Sequence, residues 1–263
     1  SSDYPLRDVY KRQTFIGPTP EHIRIMGDKV TAKTTVQKHG LPVVPGSDGP
    51  VSTLEEAEAA AETAGYPVLI KAAAGGGGKG MKVAHSADEL REAYQLARGE
   101  ARAAFGNDEV YLEKYLSKPR HIEIQLLGDT HGNCVHFGER DCSVQRRHQK
   151  VVEETPSPAL NKAQREEIGA LAAKTAAAIG YRGVGTMEFL YEDGRFYFIE
   201  MNTRLQIEHT ITEMITGVDL VREQIRIASG APLGYSQDEI RFEGHAIECR
   251  INAEHPETFM PSP

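Results

Sequence analysis

The ten residues 199–208 read I-E-M-N-T-R-L-Q-I-E. Every even position is polar (Glu200, Asn202, Arg204, Gln206, Glu208), and every odd one is apolar or small (Ile199, Met201, Thr203, Leu205, Ile207). Successive side chains of an extended chain point to opposite faces, so this order predicts a strand with one face packed inward and a polar row on the other. A half-buried surface strand would account for the alternation alone. It would not account for two carboxylates, two amides and a guanidinium set in line. Upstream, Asp193-Gly194 separates runs 183–191 and 195–200 and predicts a hairpin. A two-residue loop there would put Glu188 and Glu200 on opposite faces. A three-residue loop with Gly194 left-handed, a type I turn plus G1 bulge, brings both to one face. Glu192-Asp193-Gly194 suits the odd-length loop, which is the expectation.

A chain of 263 residues supports one large domain or two ordinary ones. Its net charge of −8 argues against nucleic-acid binding, which needs a basic footprint. No apolar run approaches the roughly 18 residues of a membrane span, and no secretory signal opens the chain. Cys134, Cys142 and Cys249 form no C-x-x-C pair and read as reduced thiols of a cytoplasmic protein. Residues 1–13 (SSDYPLRDVYKRQ) lack any period, and D-V-Y-K-R-Q resembles a translated sequencing-library adapter. They are set aside as a non-native leader, and the chain reads as a piece cut at both ends.

Capping and periodicity predict helices over 20–26, 28–38 (capped by Asp28), 53–64 and 86–104 (with Thr53–Glu56 and Ser86–Glu89 boxes), 162–179, about 211–215, and 218–228. Strands are predicted over 67–73, 81–84, 110–115, 121–127, 134–138, 183–191, 195–200 and 244–252. Hairpins interleaved with helices make this an α+β chain with mixed or antiparallel sheets rather than a parallel βαβ run.

Four groups carry chemistry. K-A-A-A-G-G-G-G-K-G (71–80) sits between two strands, and consecutive glycines can turn their N–H groups around an anion. It is neither the dinucleotide fingerprint nor a P-loop, and two flanking lysines favour phosphate over a plain surface loop. Glu188, Glu200 and Asn202 offer hard oxygen ligands of the kind Mg²⁺ takes beside nucleotide phosphates. Q-R-R-H-Q-K (145–150) is a basic run in an acidic chain, fit to offset a tetra-anionic nucleotide. Arg204 matches a carboxylate or bicarbonate through two parallel bonds, Gln206 adds a donor, and Glu208 can act as a base.

These blocks resemble one family. GDK at 27–29, the glycine flap, EKYL (113–116), RHIEIQ, GERDCSVQRRHQK, GTMEFL…YFIEMNTRLQIEH and GHAIECRINAE are similar to biotin carboxylase, an ATP-grasp enzyme, from about residue 15 to 263. The resemblance implies an ATP-grasp fold with a glycine-rich flap. Residues 14–32 would end an N-terminal domain, 33–229 form the ATP-grasp domain (flap about 43–115), and 242–263 begin a C-terminal domain. It implies that ATP phosphorylates bicarbonate to carboxyphosphate, whose CO₂ passes to biotin, as in the first half-reaction of acetyl-CoA carboxylase in fatty-acid synthesis. Propionyl-, methylcrotonyl-CoA or pyruvate carboxylase are alternatives, as is an ATP-binding piece without turnover.

Carried over residue by residue, Lys29, Lys71, Gly77, Gly78 and His148 hold the phosphates. Glu113, Lys114, Tyr115 and Leu116 meet adenine, with His121 and Gln145 nearby. Glu188, Glu200 and Asn202 bind Mg²⁺ or Mn²⁺. Lys150, Arg204, Gln206 and the Ile207 backbone hold bicarbonate, Glu208 deprotonates it, and Arg250 stabilises the biotin enolate. Implied partners are a biotin carboxyl carrier protein, a carboxyltransferase and a second copy in a homodimer, with no nucleic acid and no membrane. Two positions depart from the usual pattern: Ile207 stands for Val, and Thr210 for a frequent Pro. The chain contains no Ala-Met-Lys-Met biotinyl motif, so biotin would come from another chain or segment.

Overall fold

A computed structural model describes residues 13–73, 81–147 and 149–260, with backbone alone at 29 and 30. The leader up to residue 12, Gly77 and Gly78 of the flap, His148 and the Lys29 side chain lie outside the described residues. The chain divides into two units, residues 42–119 and the remainder.

In the unit of residues 42–119, β1 (Val68–Ala72) pairs antiparallel with β2 (Met81–Ala84) on one side and β3 (Val110–Lys114) on the other. Alternation places Val68, Ile70, Val110 and Leu112 on the inner face, and two alanine-rich helices cover it. The shorter helix, Leu54–Ala64, starts at Thr53 with the expected Thr53–Glu56 capping box; the longer, Ala87–Phe105, is capped by Ser86. Ala57, Ala61, Ala93 and Ala97 let these helices approach the strands closely.

The other unit is built on a six-stranded antiparallel sheet, in the order β8-β7-β4-β5-β6-β9. Its strands are β4 (Arg120–Gly128), β5 (Cys134–Arg146), β6 (Gln149–Thr155), β7 (Gly183–Glu192), β8 (Arg195–Asn202) and β9 (Ala246–Cys249). In chain order its helices, with the two above as α3 and α4, are α1 (Pro20–Gly27), α2 (Lys29–Lys38), α5 (Lys162–Ala178), α6 (His209–Thr216) and α7 (Leu220–Ala228). Helix α5 packs on β4 and β5, and Leu127, Val135, Phe137, Val184, Leu220 and Ile227 form a core cluster.

Three sequence expectations need correction. Strand β5 does not stop at residue 138 but runs to Arg146, and β6 was not expected at all. The basic run therefore spans the end of β5 and the start of β6 in a long hairpin, with Arg146 opposite Gln149 and Arg147 left-handed. The loop at Asp193-Gly194 has two residues, not three. Glu192 pairs with Arg195, and both loop residues have positive φ (51° and 78°), the pattern of a type I′ turn. Glu188 nonetheless faces Glu200, because a bulge between the pairs Phe189–Phe198 and Glu188–Glu200 leaves Ile199 as the extra residue. The extra residue lies five positions after Gly194, where twist and packing rather than turn chemistry decide it. Last, β8 ends at Asn202, so the polar row is not one strand.

His136 and Gly169 meet where α5 crosses the sheet. A Cβ on Gly169 would lie 2.4 Å from the His136 ring, whereas Gly99 in α4 has nothing within 4 Å of that position. Gly169→Ala is therefore expected to destabilise by about 1–3 kcal/mol through overpacking. Gly99→Ala is expected to stabilise by about 0.5–1 kcal/mol, because it removes only helix entropy cost. Urea unfolding of both variants in the complete protein checks the opposite signs. His136 is also a pH-dependent element: burial pushes its pKa down to about 4. The unfolded chain then binds more protons than the folded one, so stability is fully present above about 6.5 and lost as pH falls towards 4. Urea midpoints at pH 7 and 4.5 should converge more closely in His136→Asn than in the parent.

Candidate functional site

The site forms on one face of the six-stranded sheet, where period-two alternation aligns side chains of adjacent strands. Glu123 on β4 pairs directly with Arg140 on β5 and with Glu188 on β7, and Glu188 pairs with Glu200 on β8. Lys150 enters from the start of β6. Beyond β8 the chain leaves extended geometry over residues 203–208 and enters α6. This reverses the expected polarity: Gln206 and Glu208 are buried, while Ile207 is 65% exposed. Glu208 occupies the N-cap of α6 yet makes no capping bond with its side chain. Its carboxylate is turned inward instead.

The Lys150 ammonium is the centre of the arrangement. It bonds Glu123, lies 3.1 Å from Glu188 Oε1 and donates to Glu208 Oε1 at 2.7 Å. Arg250, just past β9, takes the other Glu208 oxygen at 2.9 Å and donates from Nε to Glu153 Oε1 at 2.7 Å. Glu188 Oε1 also accepts from Asn202 Nδ2 at 2.7 Å and Gln206 Nε2 at 2.9 Å. His121 Nε2 stands 2.8 Å from Glu188 and 3.2 Å from Glu123. Its other ring nitrogen is 3.0 Å from Gln145 Nε2.

Electrostatics follow from this packing. Burial disfavours the charged His121 ring, but the Glu123 and Glu188 carboxylates outweigh it and hold its pKa up at about 9. Burial likewise opposes ionisation of Glu188, yet His121 and Lys150 bring its pKa down to about 2. Lys150 loses solvation, and the charges of Glu123 and Glu188 more than compensate, raising its pKa. Burial raises that of Glu153, with Arg250 only partly offsetting it.

Of the predicted residues, the fold gathers His121, Gln145, Lys150, Glu188, Glu200, Asn202, Gln206, Glu208 and Arg250 around one patch of sheet. Arg204 is exposed, and among the described residues it bonds only its neighbour's carbonyl, Leu205 O, at 3.3 Å. In the other unit, Lys71 pairs with Glu113, and Lys114 donates to the carbonyls of Gly65 and Tyr66 at 2.9 and 2.8 Å. Sequence reasoning missed Glu123, Arg140 and Glu153, all fully buried. The signal for Glu123 was present in H-I-E-I-Q (121–125), whose odd positions are polar. Arg140 carried no such signal, because β5 is buried on both faces around it, and Glu153 lies in V-V-E-E (151–154), which does not alternate. Metal-capable donors converge here in two sets, His121–Glu123–Glu188 and Glu123–Cys142–Glu208, each with ligand atoms within 4.8 Å of one another.

An antiparallel sheet bearing opposed carboxylates, with a separate three-stranded unit, defines the ATP-grasp class. Residues 28–236 match the family model for the carbamoyl-phosphate synthase L chain, ATP binding domain, and the chain belongs to that family. It is 60% identical over 251 residues to a biotin carboxylase of Haemophilus influenzae, covering 95% of this chain and 56% of that one. Among solved structures, the biotin carboxylase domain of a thermophilic 2-oxoglutarate carboxylase bound to bicarbonate is 50% identical, with a TM-score of 0.93. That match covers 99% of this chain and 58% of the other. The Hydrogenobacter thermophilus 2-oxoglutarate carboxylase domain dimer, in complex with MgADP, ADP and bicarbonate, is 52% identical with a TM-score of 0.84, over 99% and 58% of the two chains. The resemblance to biotin carboxylase expected from the motifs is thus borne out. The chain spans a little over half the length of the curated relatives it matches. No helix among the described residues is long and apolar enough to cross a membrane.

Breaking the central ion cluster should be costly, because removing one partner strands buried charge. Lys150→Met is expected to destabilise by about 3–5 kcal/mol. Arg204→Met, on the exposed residue outside the cluster, should stay within about 0.5 kcal/mol. Denaturant unfolding of the two variants measures the contrast.

Proposed function

We propose that this chain is the ATP-grasp part of a biotin carboxylase, carrying out the first half-reaction of an acetyl-CoA carboxylase. The observation that carries the reading is Glu208, buried, with Lys150 on one oxygen and Arg250 on the other. Two cations next to a carboxylate make a place for a second small anion, and bicarbonate fits it. Each carboxylate oxygen keeps a lone pair beyond the bond it already accepts, so Glu208 can still take a proton. Removal of the bicarbonate proton leaves a nucleophilic oxygen to attack the γ-phosphate of ATP, giving carboxyphosphate and ADP. Carboxyphosphate then yields phosphate and CO₂ for N1′ of biotin. Lys150, Gln206, Arg204 and the Ile207 backbone are assigned to bicarbonate, and Arg250 to the enolate oxygen of biotin.

The residues fit a hard divalent cation such as Mg²⁺. Glu200 is half-buried and directly opposite Glu188, and it makes no hydrogen bond or ion pair among the described residues. Such a carboxylate is available to a metal, and Asn202 adds an amide oxygen beside it. Bound there with Glu188, Glu200 and Asn202, the ion would neutralise phosphate charge as ADP departs. Lys29, Lys71, Gly77, Gly78, His148, His121, Gln145 and the segment Glu113, Lys114, Tyr115, Leu116 are assigned to the nucleotide. The domain limits given above, a cytoplasmic location, a carrier protein, a carboxyltransferase and a homodimer belong to the same reading. Similarity to domains of 2-oxoglutarate carboxylases supports placing the choice of final acceptor elsewhere in the holoenzyme.

ADP release by the complete gene product, with Mg-ATP and with or without bicarbonate and free biotin, tests the proposal. Release should require bicarbonate, rise with biotin, and fall by about 10²–10⁴ in Glu208→Gln, the range for losing a general base. ATP binding without bicarbonate-dependent release would reject catalysis and leave a nucleotide-binding module.

A further inference from the structure

We infer that Arg140 is a positioning residue for the anion clamp, setting the direction of the Gln206 amide and tying residues 203–208 to the sheet. This rests on the bicarbonate reading above. Arg140 is fully buried in the middle of β5, and its two terminal nitrogens reach five oxygens from four parts of the chain. Nη1 bonds Gln125 Oε1 at 2.6 Å and Thr212 Oγ1 at 3.1 Å. Nη2 bonds Gln206 Oε1 at 3.1 Å, Glu123 Oε2 at 3.2 Å and Thr186 Oγ1 at 3.3 Å.

A guanidinium has donors and no acceptor, so it sorts every amide it touches by presenting hydrogens only to the oxygen. With Oε1 of Gln206 drawn to Arg140, its NH₂ must point the other way, and it does: Nε2 donates to Glu188 Oε1 at 2.9 Å. Among the described residues the Gln206 side chain bonds Arg140 and Glu188 and nothing else. Since residues 203–208 have no sheet ladder to align them, this contact supplies the alignment. Thr212 extends the same tie to α6, whose N-cap is Glu208. Through Glu123, which also bonds Lys150, Arg140 reaches the ammonium of the clamp. It touches no substrate position itself, so its effect on bicarbonate passes through Gln206.

The test measures KM for bicarbonate and KM for ATP, by ADP release from the complete gene product, in Arg140→Lys, Gln206→Ala and the double variant. Lysine keeps the charge but cannot serve Gln206, Glu123 and Thr212 together. The KM for bicarbonate should rise about tenfold in Arg140→Lys, the scale of one charged hydrogen bond, while that for ATP stays within about twofold. In the Gln206→Ala background the same change should add less than about twofold, because the group it acts through is gone. Equal rises in both KM values, or a full multiplicative effect on top of Gln206→Ala, would reduce Arg140 to a structural residue and overturn the inference. If Gln206→Ala alone leaves the bicarbonate KM unchanged, the clamp assignment and the inference fail together. If Gln206→Ala raises it and Arg140→Lys does not, only the inference fails. Should Arg140→Lys lose its fold in a thermal melt, Thr212→Val removes one acceptor and leaves the charge in place. It should raise the bicarbonate KM by about threefold, the low end for a neutral bond, and no change there would overturn the inference.

Discussion

The ammonium of Lys150 is the charge on which the site depends. Glu123, Glu188 and Glu208 all lie within bonding reach of it, and they come from β4, β7 and the N-cap of α6. Without a cation among them, three carboxylates at this depth would repel one another and lose their hydration. The basic hairpin between β5 and β6 therefore has a structural purpose as well as a chemical one. Its turn delivers Lys150 to the acidic face, while the strands on either side close the sheet out to β9.

The two faces of that sheet treat charge differently. On the α5 side, Glu139 is held by Arg165 Nε at 2.7 and 2.8 Å, and Asp141 accepts from Ser157 and Arg120 at 2.8 and 3.0 Å. Those pairs satisfy buried carboxylates one by one and serve packing. On the site face the charges are shared: Glu123 meets Lys150, His121 and Arg140, and Glu208 is divided between Lys150 and Arg250. A shared network can re-pair when an anion or a cation enters, because no member depends on one partner. Glu200, left without a partner among the described residues, marks the edge where such an entry would begin.

Much of the architecture is legible in the sequence. A capping box placed the start of α3 and the Ser86 cap that of α4, where Glu89 reaches back to His85 N rather than Ser86 N, and alternation placed β1, β3, β4 and β7 to within a residue or two. The pairing of Glu188 with Glu200 was foreseen for the wrong reason. Turn composition suggested an odd loop, whereas a tight type I′ turn and a bulge at Ile199 produced the same register. Strand β6 escaped notice because Q-K-V-V-E-E-T alternates poorly and follows a run of charge that reads as solvated surface. The site residues with a polar partner two positions away, such as His121 and Glu123, were within reach of the pattern. Arg140 was not, since burial on both faces of β5 erases periodicity, and Glu153 was not, since V-V-E-E (151–154) does not alternate.

By itself the sequence determined the antiparallel α+β class, the helix boundaries set by local caps, and the kinds of side chain available for phosphate, metal and bicarbonate. These depend on interactions spanning a few residues, or on motifs dense enough to be specific. Only the tertiary structure decided that the row beginning at Glu200 leaves its strand at Asn202, turning Gln206 and Glu208 inward and Ile207 outward. That choice is made by bonds to Arg140, Lys150 and Arg250, which are distant in the chain. A local pattern can say which face a side chain would take in an extended strand. It cannot say where a buried charge elsewhere will pull that strand out of its ladder.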